Sequence, residues 1–247
     1  MTGGTSGIGL AICRAFIREG ARVSFTGRDE ALGARAEASL GPSGSFLRAD
    51  AADPDQIRSS VERTASDLGG IDILVNNAGV GVLATPLETP IEDFQRVMDV
   101  NLRAPFLYAR ACFPYLEASR GSMIHIGSDA GVLGEVEIGV YSVSKAALHM
   151  LSKIFAIEGG RRGVRSNVIA PGDTEPGMRH MGPPGDNDRP EDDPDTWPLP
   201  PIGRLGKAGD VAEAAVYLAS DRASFVNGVI LLLDGGMRAG ARTATER

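Results

Sequence analysis

The sequence is poor in the residue types on which several kinds of protein depend. Its 247 residues include two cysteines, three histidines and one tryptophan, and aromatic residues make up 5% of the chain. Cys13 and Cys112 are too few for a disulfide scaffold, and both lie in apolar patterns typical of helices, where a free buried thiol is expected. No histidine has a second histidine or cysteine at metal-ligand spacing, so no metal site is expected.

Positive charge and long apolar runs are also scarce. Lysine and arginine total 25 against 32 aspartates and glutamates, a net charge of −7. A nucleic-acid partner is not expected, because affinity for a phosphate backbone needs a basic surface. The apolar runs are too short to cross a bilayer, and the first residues lack the pattern of a secretory signal. These features favour a cytoplasmic protein with no nucleic-acid or membrane partner.

What is present is an alternation of short and long apolar segments. Short runs rich in valine, isoleucine and leucine predict strands, and longer segments between them have helical periodicity. The alternation predicts an α/β fold in one domain over residues 1–237, a doubly wound parallel sheet with helices on both faces. The predicted strands are 22–26, 71–76, 122–127, 166–170 and 229–233, and the predicted helices are 10–19, 53–68, 91–118, 140–158 and 208–219. Gly20 is placed where a glycine ends a helix.

Two segments differ from the rest. Residues 182–201 contain seven prolines and six acidic residues, so they form neither a regular helix nor a central strand. A loop of this length inside a compact domain is usually a functional lid or is disordered. We predict an acidic, proline-rich substrate lid at about 176–203, in which Trp197 either covers an apolar substrate or packs the lid down. Residues 238–247 are predicted to be a polar tail that frays.

A glycine-rich run precedes the first helix. Gly3, Gly7 and Gly9 permit a tight turn and a close approach to a pyrophosphate, and the helix offers its N–H groups. The candidate phosphate contacts are Gly3, Thr5, Ser6, Gly7, Ile8 and Gly9. Taken alone, the pattern fits a glycine-rich turn without a ligand equally well.

The strand that follows this helix ends at Gly27 and Arg28. At this place in dinucleotide-binding folds an acidic residue binds the ribose 2′-hydroxyl of NAD, or an arginine binds the 2′-phosphate of NADP. Arg28 therefore favours NADP(H). Asp29 follows directly and keeps NAD(H) open, and a surface arginine in a turn is the other interpretation.

Tyr141 and Lys145 are four residues apart on a predicted helix and share a face. Tyrosine, with a pKa of about 10, is a poor acid or base at neutral pH, and we expect the neighbouring ammonium to lower that pKa. A solvated aromatic–lysine pair is the alternative. Ser128 lies at the end of a strand, where ligand sites of α/β sheets lie, so it either binds a substrate carbonyl or caps the next segment.

Pro105 lies inside a predicted helix. It has no N–H for the carbonyl of Asn101 and its ring displaces that carbonyl, so we expect a kink and an acceptor free for water. The kink is either purely structural or part of a proton path.

Together these residues resemble the classical short-chain dehydrogenase/reductase family over nearly the whole chain. The loop from Thr2 to Gly9 is similar to the family's cofactor loop, and Asn101, Ser128, Tyr141 and Lys145 match its catalytic tetrad in identity, order and spacing. Further matches are Asp50 and Ala51 at the adenine site, Asn76, Asn77, Ala78 and Gly79 after the fourth strand, Pro171, Gly172 and Thr174 beside the nicotinamide, and Asp234, Gly235 and Gly236 near the carboxyl end.

The resemblance implies a Rossmann-like fold and an oxidoreductase that passes a hydride between a nicotinamide cofactor and a ketone or secondary alcohol. Tyr141 would be the general acid and base, Ser128 would orient the substrate oxygen and Lys145 would bind the nicotinamide ribose. The Asn101 carbonyl would hold a water in a proton relay. NADP(H) is the preferred cofactor and NAD(H) the alternative. The family is commonly oligomeric, so a homodimer or homotetramer is expected, paired through helices 91–118 and 140–158.

Three departures from the family pattern stand out. The family has an apolar strand directly before the glycine loop, and here Met1 stands where valine is common. We therefore expect the first, central strand to be missing and its neighbours to have unpaired edges. A start assigned at a valine codon would produce this. Thr174 lies earlier than the usual threonine, and Thr5 and Ser6 are neutral where NADP-binding members often carry a basic residue.

The acidic lid disfavours a strongly anionic substrate, and a small carbonyl compound or alcohol is expected. The missing strand keeps one alternative open, a non-catalytic nucleotide-binding or scaffold protein. An epimerase or dehydratase on the same fold is a third interpretation, because fold does not fix function.

Overall fold

Helices and parallel strands alternate along the part of the chain that the structure, a computed structural model, describes: residues 1–176 and 199–240. The strands are β1 (Val23–Gly27), β2 (Gly44–Arg48), β3 (Ile73–Asn76), β4 (Ser122–Ile126), β5 (Arg165–Pro171), β6 (Thr174–Glu175), β7 (Gly206–Lys207) and β8 (Ile230–Leu233). The helices are α1 (Gly7–Arg18), α2 (Glu30–Leu40), α3 (Pro54–Leu68), α4 (Ile91–Met98), α5 (Ala104–Ser119), α6 (Gly139–Gly160) and α7 (Ala208–Ala219). The predicted α/β class is confirmed.

The main strands form two parallel sheets. One has the order β2–β1 and the other has the order β3–β4–β5–β8. Met1 and Thr2 lie between them: the Met1 carbonyl accepts from the N–H of Thr26 and the N–H of Thr2 donates to the Val75 carbonyl, both at 2.9 Å. These two residues occupy one end of the position where the family's first strand is expected.

Buried strands and the inner faces of helices form the core. All five residues of β4 are buried, as expected for a parallel sheet covered on both faces. Phe25 of β1, Ile12 of α1 and Ile169 of β5 are fully buried in one apolar cluster. Gly20, with φ of +88°, follows the last turn of α1 as predicted.

The sequence pattern missed helix α2, strand β2 and the two-residue strands β6 and β7, and it simplified one helical segment. Helix α2 buries only Gly33, Ala36 and Leu40, so its apolar face is made mostly of small residues. A Cβ on Gly33 would lie 2.2 Å from the Phe46 ring of β2, the strand that was also missed. The predicted helix 91–118 is divided into α4, a π-helical turn at Asp99–Arg103, and α5. Helix α1 begins at Gly7, three residues earlier than predicted.

Parallel strands bring their carboxyl ends to the same edge, which positions the candidate site. Arg28, Asn77, Ser128 and Gly172 follow β1, β3, β4 and β5 there. Trp197 and most of the predicted lid lie outside the described residues, as do residues 241–247. Within residues 1–176 and 199–240, no helix has both the length and the apolar character needed to cross a bilayer.

Candidate active site

The glycine-rich loop is held in its turn by Asn77. Gly3 has φ of +63°, and a Cβ on Gly9 would lie 2.1 Å from the Gly3 carbonyl oxygen. Asn77 Nδ2 donates to the carbonyls of Thr2 at 3.1 Å and Gly3 at 2.9 Å. Thr2 Oγ1 in turn accepts the backbone N–H groups of Asn77 and Ala78, both at 3.0 Å. The carbonyl oxygens of Thr2 and Gly3 would repel a phosphate, but both accept hydrogen bonds from Asn77 on the protein side of the loop.

The start of α1 has the features of an anion site. Ser6 is the N-cap residue, its side chain makes no capping hydrogen bond, and the first turn contains no acidic residue. Ser6 is exposed, while Thr5, Gly7 and Ile8 are half-buried. The unpaired N–H groups and the positive end of the helix dipole favour an anion such as the pyrophosphate of a dinucleotide.

Arg28 and Asp29 have different surroundings. A Cβ on Gly27 would lie 2.6 Å from Thr5 Cγ2, so glycine lets the glycine loop pack against the end of β1. Arg28 is exposed. Asp29 caps α2, since its Oδ1 accepts the N–H of Leu32 at 2.9 Å. The Asp29 carboxylate, because of which NAD(H) was an alternative cofactor in the sequence, therefore caps α2.

Asp50 and Ala51 lie in the turn after β2, beside the end of β1. The Ala49 N–H donates to the Gly27 carbonyl at 3.0 Å, which fixes this turn next to Arg28. Asp50 Oδ1 accepts the N–H of Ala52 at 2.9 Å. The geometry places both predicted adenine contacts on the Arg28 side of the glycine loop.

Helix α6 places Tyr141 and Lys145 together in a buried position, with 6% and 2% of their surfaces exposed. Lys145 Nζ lies 5.5 Å from the centre of the Tyr141 ring and donates to the Ile126 carbonyl at 2.8 Å. Ser128 follows β4, and a hydrogen bond from its side chain opposes the rise in the pKa of Tyr141. It also accepts the N–H of Ala130 at 3.2 Å, so Ser128 both faces Tyr141 and caps the next turn.

Burial dominates the electrostatics of this group. It raises the pKa of Tyr141 to about 12, with a further rise from the Asp129 charge and an opposing effect of the Ser128 hydrogen bond. Burial also lowers the pKa of Lys145 to about 8. In the protein alone the pKa of Tyr141 is therefore raised and not lowered, because desolvation disfavours the phenolate more than the Ser128 hydrogen bond favours it.

Asn101 is fully buried and connects the loop after β3 to α6. Its Oδ1 accepts the N–H of Val80 at 2.9 Å, and its Nδ2 donates to the Val80 carbonyl at 2.8 Å and to Ser144 Oγ at 3.0 Å. Ser144 Oγ donates to the Tyr141 carbonyl at 2.7 Å. The predicted distortion before Pro105 is present as the π-helical turn, which contains Asn101.

The remaining predicted contacts lie around this group. A Cβ on Gly79 would lie 3.4 Å from Lys145 Nζ, so glycine keeps space beside the ammonium. Pro171 ends β5, and the N–H of Gly172 donates to the Leu233 carbonyl at 3.2 Å. Thr174 Oγ1 donates to the Gly172 carbonyl at 2.8 Å, so this hydroxyl is engaged within the turn itself.

Sequence reasoning missed two charged residues at the site. Asp129 directly follows Ser128 and is buried, and Arg238 Nε donates to its Oδ2 at 3.1 Å. Arg238 had been assigned to the polar tail. Its contact with Asp129 spans 109 residues, so no local pattern indicated it. The clamping role of Asn77 and the bridging role of Ser144 were also missed.

The glycine positions fit a nicotinamide dinucleotide. A Cβ on Gly3 would meet Asn77 and Ala78 and one on Gly9 would meet the Gly3 carbonyl, so both glycines let the loop pack closely. The Cβ position of Gly7, at the start of α1, is open. Arg28 and Asp50 lie beside the ends of β1 and β2, and Gly79 and Lys145 lie beside the ends of β3 and β4. The residues present therefore fit the cofactor that the resemblance implies.

Comparisons with known proteins found a matching family model, similar sequences and a similar structure. A family model described as enoyl-(acyl carrier protein) reductase matches residues 3–238. The chain is 36% identical to L-fucose dehydrogenase of Mus musculus over 242 residues, 97% of this chain and 88% of that protein. It is 35% identical to 2-(S)-hydroxypropyl-CoM dehydrogenase 3 of Xanthobacter autotrophicus over 246 residues, 97% of this chain and 95% of that protein. The crystal structure of 3-ketoacyl-(acyl-carrier-protein) reductase from Brucella melitensis complexed with NADH matches with a TM-score of 0.86 at 29% identity, over 96% of each chain.

Proposed function

The chain belongs to the short-chain dehydrogenase/reductase family of NAD(P)-dependent oxidoreductases, and we propose that it interconverts a ketone and a secondary alcohol with Tyr141 as the general acid and base. One observation carries the proposal: Lys145 Nζ lies 5.5 Å from the centre of the buried Tyr141 ring and donates to the Ile126 carbonyl at the end of β4, the strand that Ser128 follows. The glycine cradle opens at the same carboxyl edge of the sheet.

In carbonyl reduction, the Tyr141 phenol donates a proton to the substrate oxygen, which the Ser128 hydroxyl orients. In alcohol oxidation, the same oxygen of Tyr141 accepts the proton. The nicotinamide, when bound, supplies or accepts the hydride. Because Tyr141 is buried, the proton passes between the phenol and the substrate with little competition from bulk water.

Lys145 has the donors for a second task. An ammonium has three N–H donors, and one of them is bound to the Ile126 carbonyl at 2.8 Å. The other donors serve the nicotinamide ribose and the proton relay. Asn101 fixes the loop after β3 through Val80 and, through its backbone carbonyl, holds the water of that relay.

NADP(H) is the preferred cofactor and NAD(H) the second in this proposal. The support is the exposed guanidinium of Arg28 at the end of β1, together with the use of Asp29 as the cap of α2. A guanidinium binds a phosphate with two parallel hydrogen bonds, whereas an engaged carboxylate is poorly placed to bind a 2′-hydroxyl.

Helix α6 supports a homodimer or homotetramer. Four apolar side chains on one face of it are exposed: Val143, Met150, Ile154 and Ile157, with 55%, 57%, 42% and 68% of their surfaces accessible. A contiguous exposed apolar stripe of this kind marks an interface. Two unpaired, buried cysteines fit the reducing conditions of the cytoplasm.

The test is a Tyr141→Phe variant assayed with NADPH and NADH. The substrate panel contains L-fucose, 2-(S)-hydroxypropyl-CoM, a 3-ketoacyl thioester and simple ketones and secondary alcohols. We expect the variant to bind cofactor within twofold of the wild type, measured by nicotinamide fluorescence, and to lose roughly 10²-fold or more of kcat/KM. Tyr217→Phe, on the exposed face of α7, is the matched control and should keep full activity.

Two results would contradict the proposal. Full turnover by Tyr141→Phe would remove the assigned role. A wild-type protein that binds cofactor tightly but turns over nothing in the panel would favour the non-catalytic alternative.

A further inference from the structure

A charged cluster connects the segment after β8 to the candidate active site. Arg238 Nε donates to Asp129 Oδ2 at 3.1 Å, and Arg238 Nη2 contacts Glu135 Oε1. The side chains of Arg238 and Asp129 are 19% and 12% exposed, so this ion pair is largely shielded from solvent. Shielded pairs interact more strongly than exposed ones.

Both members of the pair are fixed by further hydrogen bonds. The N–H of Arg238 donates to Asp234 Oδ2 at 2.8 Å, and Asp234 Oδ1 accepts the N–H of Gly236 at 2.9 Å. This turn presents the guanidinium to Asp129. On the other side, Asp129 Oδ1 accepts the N–H of Ala130 at 2.9 Å.

Asp129 also contacts Ser128, the residue proposed to orient the substrate oxygen. Ser128 Oγ donates to Asp129 Oδ1 at 3.3 Å, and the negative charge of Asp129 raises the pKa of Tyr141. A carboxylate without a counter-ion at this position would bind the Ser128 hydroxyl more strongly and disfavour the phenolate further.

We propose that Arg238 is a positioning residue of the active site, which holds the Asp129 carboxylate in place and offsets its negative charge beside Ser128 and Tyr141. The proposal rests on the function proposed for Tyr141. The charged and titratable groups around Tyr141 come from several elements. Lys145 lies on the same helix, Asp129 lies in the turn after β4, and Arg238 pairs with both Asp129 and Glu135. His149 Nε2 accepts the N–H of Ser128 at 3.5 Å. Of these, Arg238 alone neutralises Asp129 directly.

The test is the pH profile of kcat, which reports the ligand-bound complex, for alcohol oxidation in Arg238→Gln, Asp129→Asn and the double variant. Arg238→Gln should move the ascending limb to higher pH by roughly half to one unit, because an unpaired carboxylate then faces Tyr141. Asp129→Asn should move it to lower pH, and the double variant should resemble Asp129→Asn. Arg238→Lys keeps the positive charge, so the midpoint of its profile should lie close to that of the wild type.

Arg63→Gln is the matched control, because Arg63 Nε also binds an aspartate, Asp67 Oδ2 at 2.7 Å, but on the outer face of α3. Its profile should equal that of the wild type. Cofactor affinity, measured by nicotinamide fluorescence, should change less than twofold in Arg238→Gln.

A purely structural role for Arg238 would lower activity equally at every pH and leave the midpoint unchanged, which would overturn the inference. Should Arg238→Gln fail to fold, Asp129→Asn still decides, since an unmoved midpoint in that variant has the same consequence. Activity that survives in Tyr141→Phe would instead refute the proposed function, so the two failures are distinguishable.

Discussion

Replacing Gly9 with alanine is the sharpest test of the cofactor cradle. The added Cβ would lie 2.1 Å from the Gly3 carbonyl oxygen and 2.6 Å from Asn77 Nδ2. Neither atom can move alone, because these two atoms are hydrogen-bonded to each other at 2.9 Å. The loop must therefore shift away from the end of β3, and the N–H groups at the start of α1 shift with it.

The expected cost follows from three contributions. Overpacking costs about 1–3 kcal/mol, and losing the Asn77–Gly3 hydrogen bond costs about 1 kcal/mol. Removing a glycine from a helix offsets about 0.5–1 kcal/mol of this. The net loss is about 2 kcal/mol of the free energy of unfolding, which lowers Tm by about 4–8 °C in a domain of this size. Cofactor affinity should fall at least about tenfold, the effect of roughly 1.4 kcal/mol.

The assay is a nicotinamide fluorescence titration with NADPH, together with thermal unfolding of the protein without cofactor. Gly209→Ala is the control, because Gly209 also lies in the first turn of a helix but no atom is within 4 Å of its Cβ position. That variant should bind cofactor normally and be as stable as the wild type or slightly more so. Wild-type affinity and Tm in Gly9→Ala would refute the close packing of loop, Asn77 and helix.

Three further predictions concern the cofactor, the helix that carries Tyr141, and acid stability. Arg28→Gln should raise the Kd for NADPH about tenfold and leave the Kd for NADH unchanged; equal changes would contradict a 2′-phosphate contact. Ser144→Ala loses two hydrogen bonds and should cost about 1–2 kcal/mol in urea unfolding, whereas Ser142→Ala should cost nothing, because among the described residues its buried hydroxyl has no partner. Burial lowers the pKa of His125 to about 3 from 6.5, so this contribution to stability is fully present above about pH 6.5 and is lost as pH falls towards 3. In urea unfolding between these pH values the wild type should lose more stability than His125→Asn, and equal losses would contradict the assignment.

Much of the fold follows from local apolar patterns. The five predicted strands lie on β1, β3, β4, β5 and β8, because each contains a short apolar run. Strand β4 is buried throughout, whereas β8 is only partly buried. The pattern failed at β2, which has only Phe46 and Leu47 as large apolar residues. It failed at α2 because Gly33 and Ala36 pack through their small size, which apolar periodicity does not detect.

The candidate site was predictable where its residues are close in the sequence. The four-residue spacing of Tyr141 and Lys145 on one helix indicated that they share a face, and they do. Contacts between distant segments were not predictable in this way. Arg238 and Asp129 are 109 residues apart, and Asn77 and Gly3 are 74 apart. Only the folded chain shows that these pairs meet.

The largest difference between sequence and structure concerns the proton on Tyr141. Sequence spacing suggests one effect, an ammonium that favours the phenolate, but burial acts on both groups and raises the pKa of Tyr141 to about 12. In the protein alone Tyr141 is therefore an acid that keeps its proton. Alcohol oxidation needs the phenolate, so the free energy for its deprotonation must come from interactions that form when the ligands bind. The pH at which the acid–base group is half-protonated is therefore a property of the ligand-bound complex. The pH profile of kcat reports that complex, so its midpoint should lie well below the pH at which Tyr141 titrates in the free protein.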